Sequence, residues 1–269
     1  VITLLLALGA GLLIGLSLGT LGAGGSILAV PVLVHLLGQS PAAATTGSLV
    51  VVGVSALFGA AAAARGGRVL VARGISFALV ATGGSVAGAF ASTRVPEQVL
   101  MLAFAALMLL VGVLMVLRLR RPARQRDAHS FADPVVTFSP TFTWDWPRAL
   151  KVLLAATVTG LLTGFLGVGG GFLVVPALVL ALGLPMRFAA GTSLVVIALT
   201  SAVALSVRAG VGAQPAWDVV AVLTVAAALA SILGTRIAGR LDQAILTRAF
   251  TGVVLVVGAF TGAQALTAL

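Results

Sequence analysis

Cysteine is absent from the chain, which excludes disulfides, thiolate metal sites and a cysteine nucleophile. Carboxylates are scarce: Glu97, Asp127, Asp133, Asp145, Asp218 and Asp242 are the only acids, and each falls in or beside a stretch that reads as a loop. Carboxylate proton relays and carboxylate-lined cation paths at membrane depth therefore have nothing to be built from. With His35 and His129 as the only histidines, imidazoles alone assemble no metal site, and no metal or cofactor is implied. HExxH, a nucleophile elbow and paired carboxylates are also missing, so the chain does not read as an enzyme. Charged residues make up 8% of the chain, against about a quarter in an ordinary soluble domain.

What fills the chain instead is apolar. Hydrophobic residues account for 60%, mean hydropathy is +1.22, and the apolar segments run about 18 to 22 residues, the length of a helix crossing roughly 30 Å of hydrocarbon. The short alternating segments of a membrane β-barrel are not seen. The fold class expected is an all-α polytopic membrane protein. No cleavable leader is recognisable, and Val1 in place of Met is what a trimmed start leaves. The net charge of +10 sits in short loops and in the cluster Arg118, Arg120, Arg121, Arg124 and Arg126. That is the positive-inside pattern of a cytoplasmic surface and not a nucleic-acid footprint.

The chain is a duplication. Gly15–Val50 and Gly160–Val195 are identical at 18 of 36 positions. The informative matches are Gly19, Gly22, Gly24, Gly25, Pro31 and Gly38 with Gly164, Gly167, Gly169, Gly170, Pro176 and Gly183, because glycine and proline constrain backbone shape. After a one-residue insertion the register continues, with Gly88, Arg94, Phe104 and Gly112 matching Gly234, Arg240, Phe250 and Gly258. Each repeat reads as about four full spans plus a short or broken helix. The first occupies 1–118, a cytoplasmic linker 119–147, and the second 148–269. Breaks are expected over 19–25 and 164–170, short helices over 26–37 and 171–182. The polar, proline-punctuated linker has room for a small strand pair, and Trp144 and Trp146 suit the headgroup level.

Charge also bears on how the repeats relate. Arg65, Arg68 and Arg73 follow the third segment of the first half, whereas Arg94 stands beside Glu97 in the next loop. In the second half the bias reverses, with Arg208 against Asp218 and then Arg236, Arg240 and Arg248 against Asp242. Lys and Arg set orientation, so the reversal favours inverted repeats with both chain ends outside.

With acids absent from the spans, helix ends and hydroxyls are the chemistry left at membrane depth. The free N–H groups at a helix start bind an anion without a charged side chain. Gly24, Gly25 and Ser26, and Gly169, Gly170 and Gly171, stand at the starts of the short helices. Thr45, Thr46 and Ser48, and Thr192 and Ser193, add hydroxyls in the next helix of each half. Together these are the candidate anion site, two half-sites facing each other as in repeat-built transporters. Close helix packing is the alternative for the glycines, above all Gly15, Gly19, Gly160 and Gly164, and bonding to their own backbone is the alternative for the hydroxyls. His35, opposite Leu180 in the repeat, reads as a packed histidine or as a protonatable gate. Arg187, beside the second Thr-Ser pair, is a candidate for attracting anions. The glycine run lacks the GxGxxG spacing of a dinucleotide site.

The duplicated G-x-L-G-x-G-G-[SG]-x-L-x-V-P, followed by Ala44–Leu49 and Ala189–Leu194, resembles the TauE/SafE family, also called the toluene-sulfonate uptake permeases. The resemblance covers both halves and leaves only the linker unmatched. It implies a secondary transporter of the bacterial cytoplasmic (inner) membrane that moves sulfite, sulfoacetate or other organosulfonates, typically outward. The partners implied are a small sulfur-containing oxyanion and the lipid bilayer, with monomer and homodimer both open. A passive anion channel and a membrane scaffold are the rival readings. Thr45-Thr46-Gly47-Ser48 stands where the second half has Ala190-Gly191-Thr192-Ser193, so the two half-sites differ chemically.

Overall fold

The computed structural model describes residues 2–92, 97–120, 136–137, 143–144, 146–166, 171–208 and 215–267. Ten α-helices are described: α1 Ile2–Leu21, α2 Gly24–Pro31, α3 Pro41–Arg65, α4 Val71–Ser92, α5 Glu97–Arg120, α6 Trp146–Leu166, α7 Gly171–Pro176, α8 Met186–Arg208, α9 Trp217–Ala238 and α10 Gln243–Thr267. In the linker, β1 Val136–Thr137 pairs antiparallel with β2 Thr143–Trp144. That is the small strand pair for which the linker had room. The side chains of Trp144 and Trp146 lie outside the described residues.

Seven helices carry apolar stretches long enough to cross a membrane, and α2, α6 and α7 carry shorter ones. Their outward surfaces are apolar: Val225, Leu229, Leu233 and Ile237 form an exposed row at four-residue spacing on α9. An apolar ridge left open on a helix whose other face is packed is what a hydrocarbon solvent selects. The chain is a multi-pass α-helical membrane protein.

Punctuation sets the element ends. The Ser40 hydroxyl accepts from Ala43 N at 3.4 Å and Pro41 opens α3, a helix start with a capping side chain and a proline where no N–H is needed. Gly22 takes φ +79° between α1 and α2, a conformation open to glycine at no steric cost. Pro31 and Pro176, repeat equivalents, end the α-helical parts of the short helices, and each is followed by a π turn, Val32–Leu36 and Ala177–Ala181. A proline lacks the N–H for the helical ladder and crowds the carbonyl four residues back, so the hydrogen-bond pattern shifts there.

The first break is narrower than the sequence suggests. The expectation was 19–25, but α1 continues to Leu21 and α2 begins at Gly24. Gly19 stays helical because its role is contact: a Cβ there would overlap the backbone of Ser231 on α9. Gly164 does the same against Ser85 on α4.

The helices pack crosswise between the halves. α1 lies along α9 and α6 lies along α4, the two most extensive contacts. Both pairs are parallel: Gly11, Gly15 and Gly19 meet Leu223, Ala227 and Ser231 in turn, and Gly160 and Gly164 meet Ala81 and Ser85. Counterpart helices meet each other antiparallel. Gly53 faces Ser201 and Gly59 faces Leu194 across α3 and α8, while Gly112 faces Leu255 and Gly262 faces Ala105 across α5 and α10. The short helices α2 and α7 also touch, and the edge-to-face pair Phe104–Phe172, centroids 5.2 Å apart, fastens α5 to α7.

These directions place the starts of α1, α3, α5 and α9 at one end of the bundle and those of α4, α6, α8 and α10 at the other. The second end collects Arg65, Arg68, Arg73, Arg118, Arg120, Arg148, Lys151, Arg187, Arg236, Arg240 and Arg248. Among the described basic residues, Arg208 alone belongs to the first end.

Candidate substrate site

The centre of the bundle is where the two short helices begin. Gly24 and Gly25 turn the chain back along α1: a Cβ on Gly25 would overlap the Ile14 carbonyl, and one on Gly24 the Ser17 hydroxyl. α2 therefore starts part-way along α1 and not beyond its end. No side chain caps it. The Ser26 hydroxyl donates to the Ala23 carbonyl at 2.7 Å. Gly171, the repeat counterpart of Ser26, opens α7 directly opposite, and a Cβ on it would stand 2.5 Å from the Ser26 Oγ. The starts of the two half-length helices thus meet. Gly169 and Gly170 lie outside the described residues.

The predicted hydroxyls divide between the halves. Thr45 and Thr46 are half-buried in the second turn of α3, and the Ser48 hydroxyl, buried, donates to Thr45 O at 2.9 Å. Thr192 and Ser193 are fully buried in α8 and bridge the repeats. The Thr192 Oγ1 accepts from Leu70 N at 3.1 Å, and the Ser193 hydroxyl lies 2.8 Å from Ala190 O and 3.0 Å from Gly22 O. The second Thr-Ser pair thus ties α8 to the α3–α4 loop and to the break after α1.

Arg187 stands exposed at the start of α8, its guanidinium 5.3 Å from the Phe188 ring centroid. It shares a cleft of about 560 Å³ with Arg68, Arg236 and Arg240, floored by Gly66, Gly67 and Gly239. No carboxylate lines this cleft among the described residues. Arg68 is the anchored member: its Nη1 donates to the Thr235 carbonyl at 2.6 Å near the end of α9, and Gly66 and Gly239 leave room for its guanidinium. A carbonyl at a helix C-terminus carries negative partial charge, which suits a guanidinium. The sequence marks these as loop arginines but does not show that they converge, because Arg68 and Arg236 belong to different repeats. His35 falls in the π turn after Pro31, and its side chain lies outside the described residues.

Short helices that start inside a multi-pass bundle, with the helices of the two halves packed crosswise, are the frame of repeat-built membrane transporters. Comparison with known proteins gives the family. The family described as Sulfite exporter TauE/SafE matches residues 7–261, and the chain belongs to it. A probable membrane transporter protein of Xylella fastidiosa (strain Temecula1 / ATCC 700964) is 37% identical over 196 residues, 72% of this chain and 70% of the relative. The probable membrane transporter protein YunE of Bacillus subtilis (strain 168) is 30% identical over 203 residues, 70% of this chain and 73% of the relative. No solved structure matches the chain. Family and relatives point to a membrane transporter and not to an enzyme.

Proposed function

We propose that the protein is a secondary transporter that carries sulfite or organosulfonate anions such as sulfoacetate out of the bacterial cytoplasm, by alternating access of two inverted repeats. The observation that carries this reading is the meeting of two uncharged helix starts, at Ser26 and Gly171, between counterpart helices that run antiparallel. Irregular backbone at membrane depth is tolerated where it lines a cavity or is buried in protein, and half-helix starts pointing at an anion are how repeat-built transporters hold one. Gly24, Gly25 and Gly171 supply N–H groups, while the Ser26 N–H is turned to the Ala23 carbonyl at 3.2 Å. Thr192 and Ser193 hold the seam between the repeats beside the break after α1.

Orientation follows from charge. The end with eleven described basic residues is cytoplasmic by the positive-inside bias, which places both chain ends outside. The cleft of Arg68, Arg187, Arg236 and Arg240 then forms a cytoplasmic vestibule that gathers anions, as clefts lined by one sign of charge do.

Sulfite efflux from proteoliposomes tests the reading. A carrier gives saturable flux and accelerated exchange when sulfite is present on both sides. Flux that rises linearly without counter-flow identifies a channel, and the absence of both flux and any anion-dependent thermal shift identifies a scaffold.

A further inference from the structure

Away from the meeting point of α2 and α7, a cavity of about 70 Å³ lies among α3, α4, α6, α7 and α8. None of its lining residues is exposed. Five carry hydroxyls, Ser85, Thr159, Thr163, Thr200 and Ser201, and none is ionisable. The hydroxyls of Ser85 and Thr200 donate to Thr82 O and Val196 O within their own helices. Among the described residues, no hydrogen bond within the protein engages those of Thr159, Thr163 or Ser201.

The other repeat shows what this space looks like when it is only core. The counterparts of Thr159, Thr163 and Ser201 are Ile14, Leu18 and Ala56, all fully buried in the packed interior. The counterpart of Ser85 is Ser231, whose hydroxyl closes onto the Ser55 carbonyl at 2.8 Å. Three of the five hydroxyl positions are hydrocarbon in the first half, which keeps only Ser231 and Ser55, the counterpart of Thr200, with its Oγ buried and unpartnered; the second half is hollow and hydroxylated at all five. A packing defect is lined by apolar side chains and stays dry, whereas a polar, roomy cavity takes water or a ligand.

We propose that this cavity is a second oxyanion-binding site, present in one repeat only, and that it admits an oxyanion of four or five non-hydrogen atoms, organosulfonates being left to the helix starts of α2 and α7. The inference rests on the transporter reading above and selects within its substrates. At about 10–15 Å³ of such volume per water, the cavity of about 70 Å³ holds about five to seven water-sized groups, enough for sulfite or sulfate and too few for the larger sulfoacetate or toluenesulfonate. Rotatable hydroxyls supply the donors. With no guanidinium or ammonium in the wall, the site recognises the anion without trapping it.

The test uses the full chain in detergent and in proteoliposomes, with sulfite as the probe. The double variant T159I/T163L writes the residues of the first half into the second. It is expected to keep the unliganded melting temperature and to lose sulfite-dependent stabilisation and flux, with the sulfite Kd raised at least tenfold. S201A, a smaller change that also copies the first half, guards against misfolding of the double variant and is expected to weaken sulfite binding about tenfold, the scale of one hydrogen bond to a charged group. Sulfoacetate at equal concentration is expected not to displace sulfite. Wild-type sulfite affinity in both variants, or displacement by sulfoacetate, overturns this site and leaves the transporter reading standing. Absence of any sulfite response in the wild-type protein overturns both.

Discussion

At the residue scale, the small residues serve distinct purposes that their shared chemistry conceals. Gly164 and Gly83 are both helical glycines, yet a Cβ on Gly164 would overlap the backbone of Ser85 while one on Gly83 meets nothing within 4 Å. Gly164→Val is therefore expected to destabilise the protein by about 1–3 kcal/mol, the cost of overpacking against a rigid neighbour. Gly83→Ala is expected to stay within about 0.5 kcal/mol. Melting of the two purified variants in detergent checks the contrast. Thr192→Val keeps the shape of the buried side chain and removes the acceptor of Leu70 N. Leaving that N–H without its partner is expected to cost about 1–3 kcal/mol and to speed hydrogen exchange at Leu70. Unchanged exchange there would show that the bond does not hold the loop. None of these partners is near in sequence, so a residue-by-residue reading gives packing and binding glycines the same appearance.

At the scale of elements, the short helices and the loops that pin them decide how the halves meet. Pro31 and Pro176 announce the short helices in the sequence, and the π turns follow them as the disrupted ladder requires. The extent of the breaks was less legible, because Gly19 and Gly164 look like breakers until Ser231 and Ser85 are placed against them. The α3–α4 loop, with Arg68 on Thr235 O and Leu70 on Thr192, fastens the first repeat to the second. If the arginine cleft gathers anions, Arg236→Gln with Arg240→Gln is expected to slow sulfite efflux at low ionic strength. The difference should vanish near 1 M salt, where the Debye length is about 3 Å. Rates measured across a salt series check this, and an equal deficit at all ionic strengths would point to a structural role for the pair.

At the scale of the whole molecule, the absence of cysteine makes topology directly measurable. Single cysteines at Gln125 in the linker and at Ser206 near the end of α8 introduce the only thiols. With the basic end in the cytoplasm, a membrane-impermeant maleimide on intact cells is expected to label Ser206→Cys. It should reach Gln125→Cys only after permeabilisation. The opposite pattern would reverse the orientation, and equal labelling of both from outside would overturn the proposed inversion of the repeats.

The sequence by itself determined the membrane class, the duplication and the places where helices are interrupted. Each of these is written locally, in apolar run length, in matched Gly and Pro, and in the charges of short loops. The crosswise packing of α1 on α9 and α6 on α4 was decided only in three dimensions, as were the convergence of four arginines from both halves and the hollow beside Thr159 and Thr163. These depend on which surfaces meet, and the sequence records each surface without its partner. The replacement of Ile14 and Leu18 by Thr159 and Thr163 is visible in the aligned repeats, but it has meaning only once the structure shows that one pair fills a space the other leaves open.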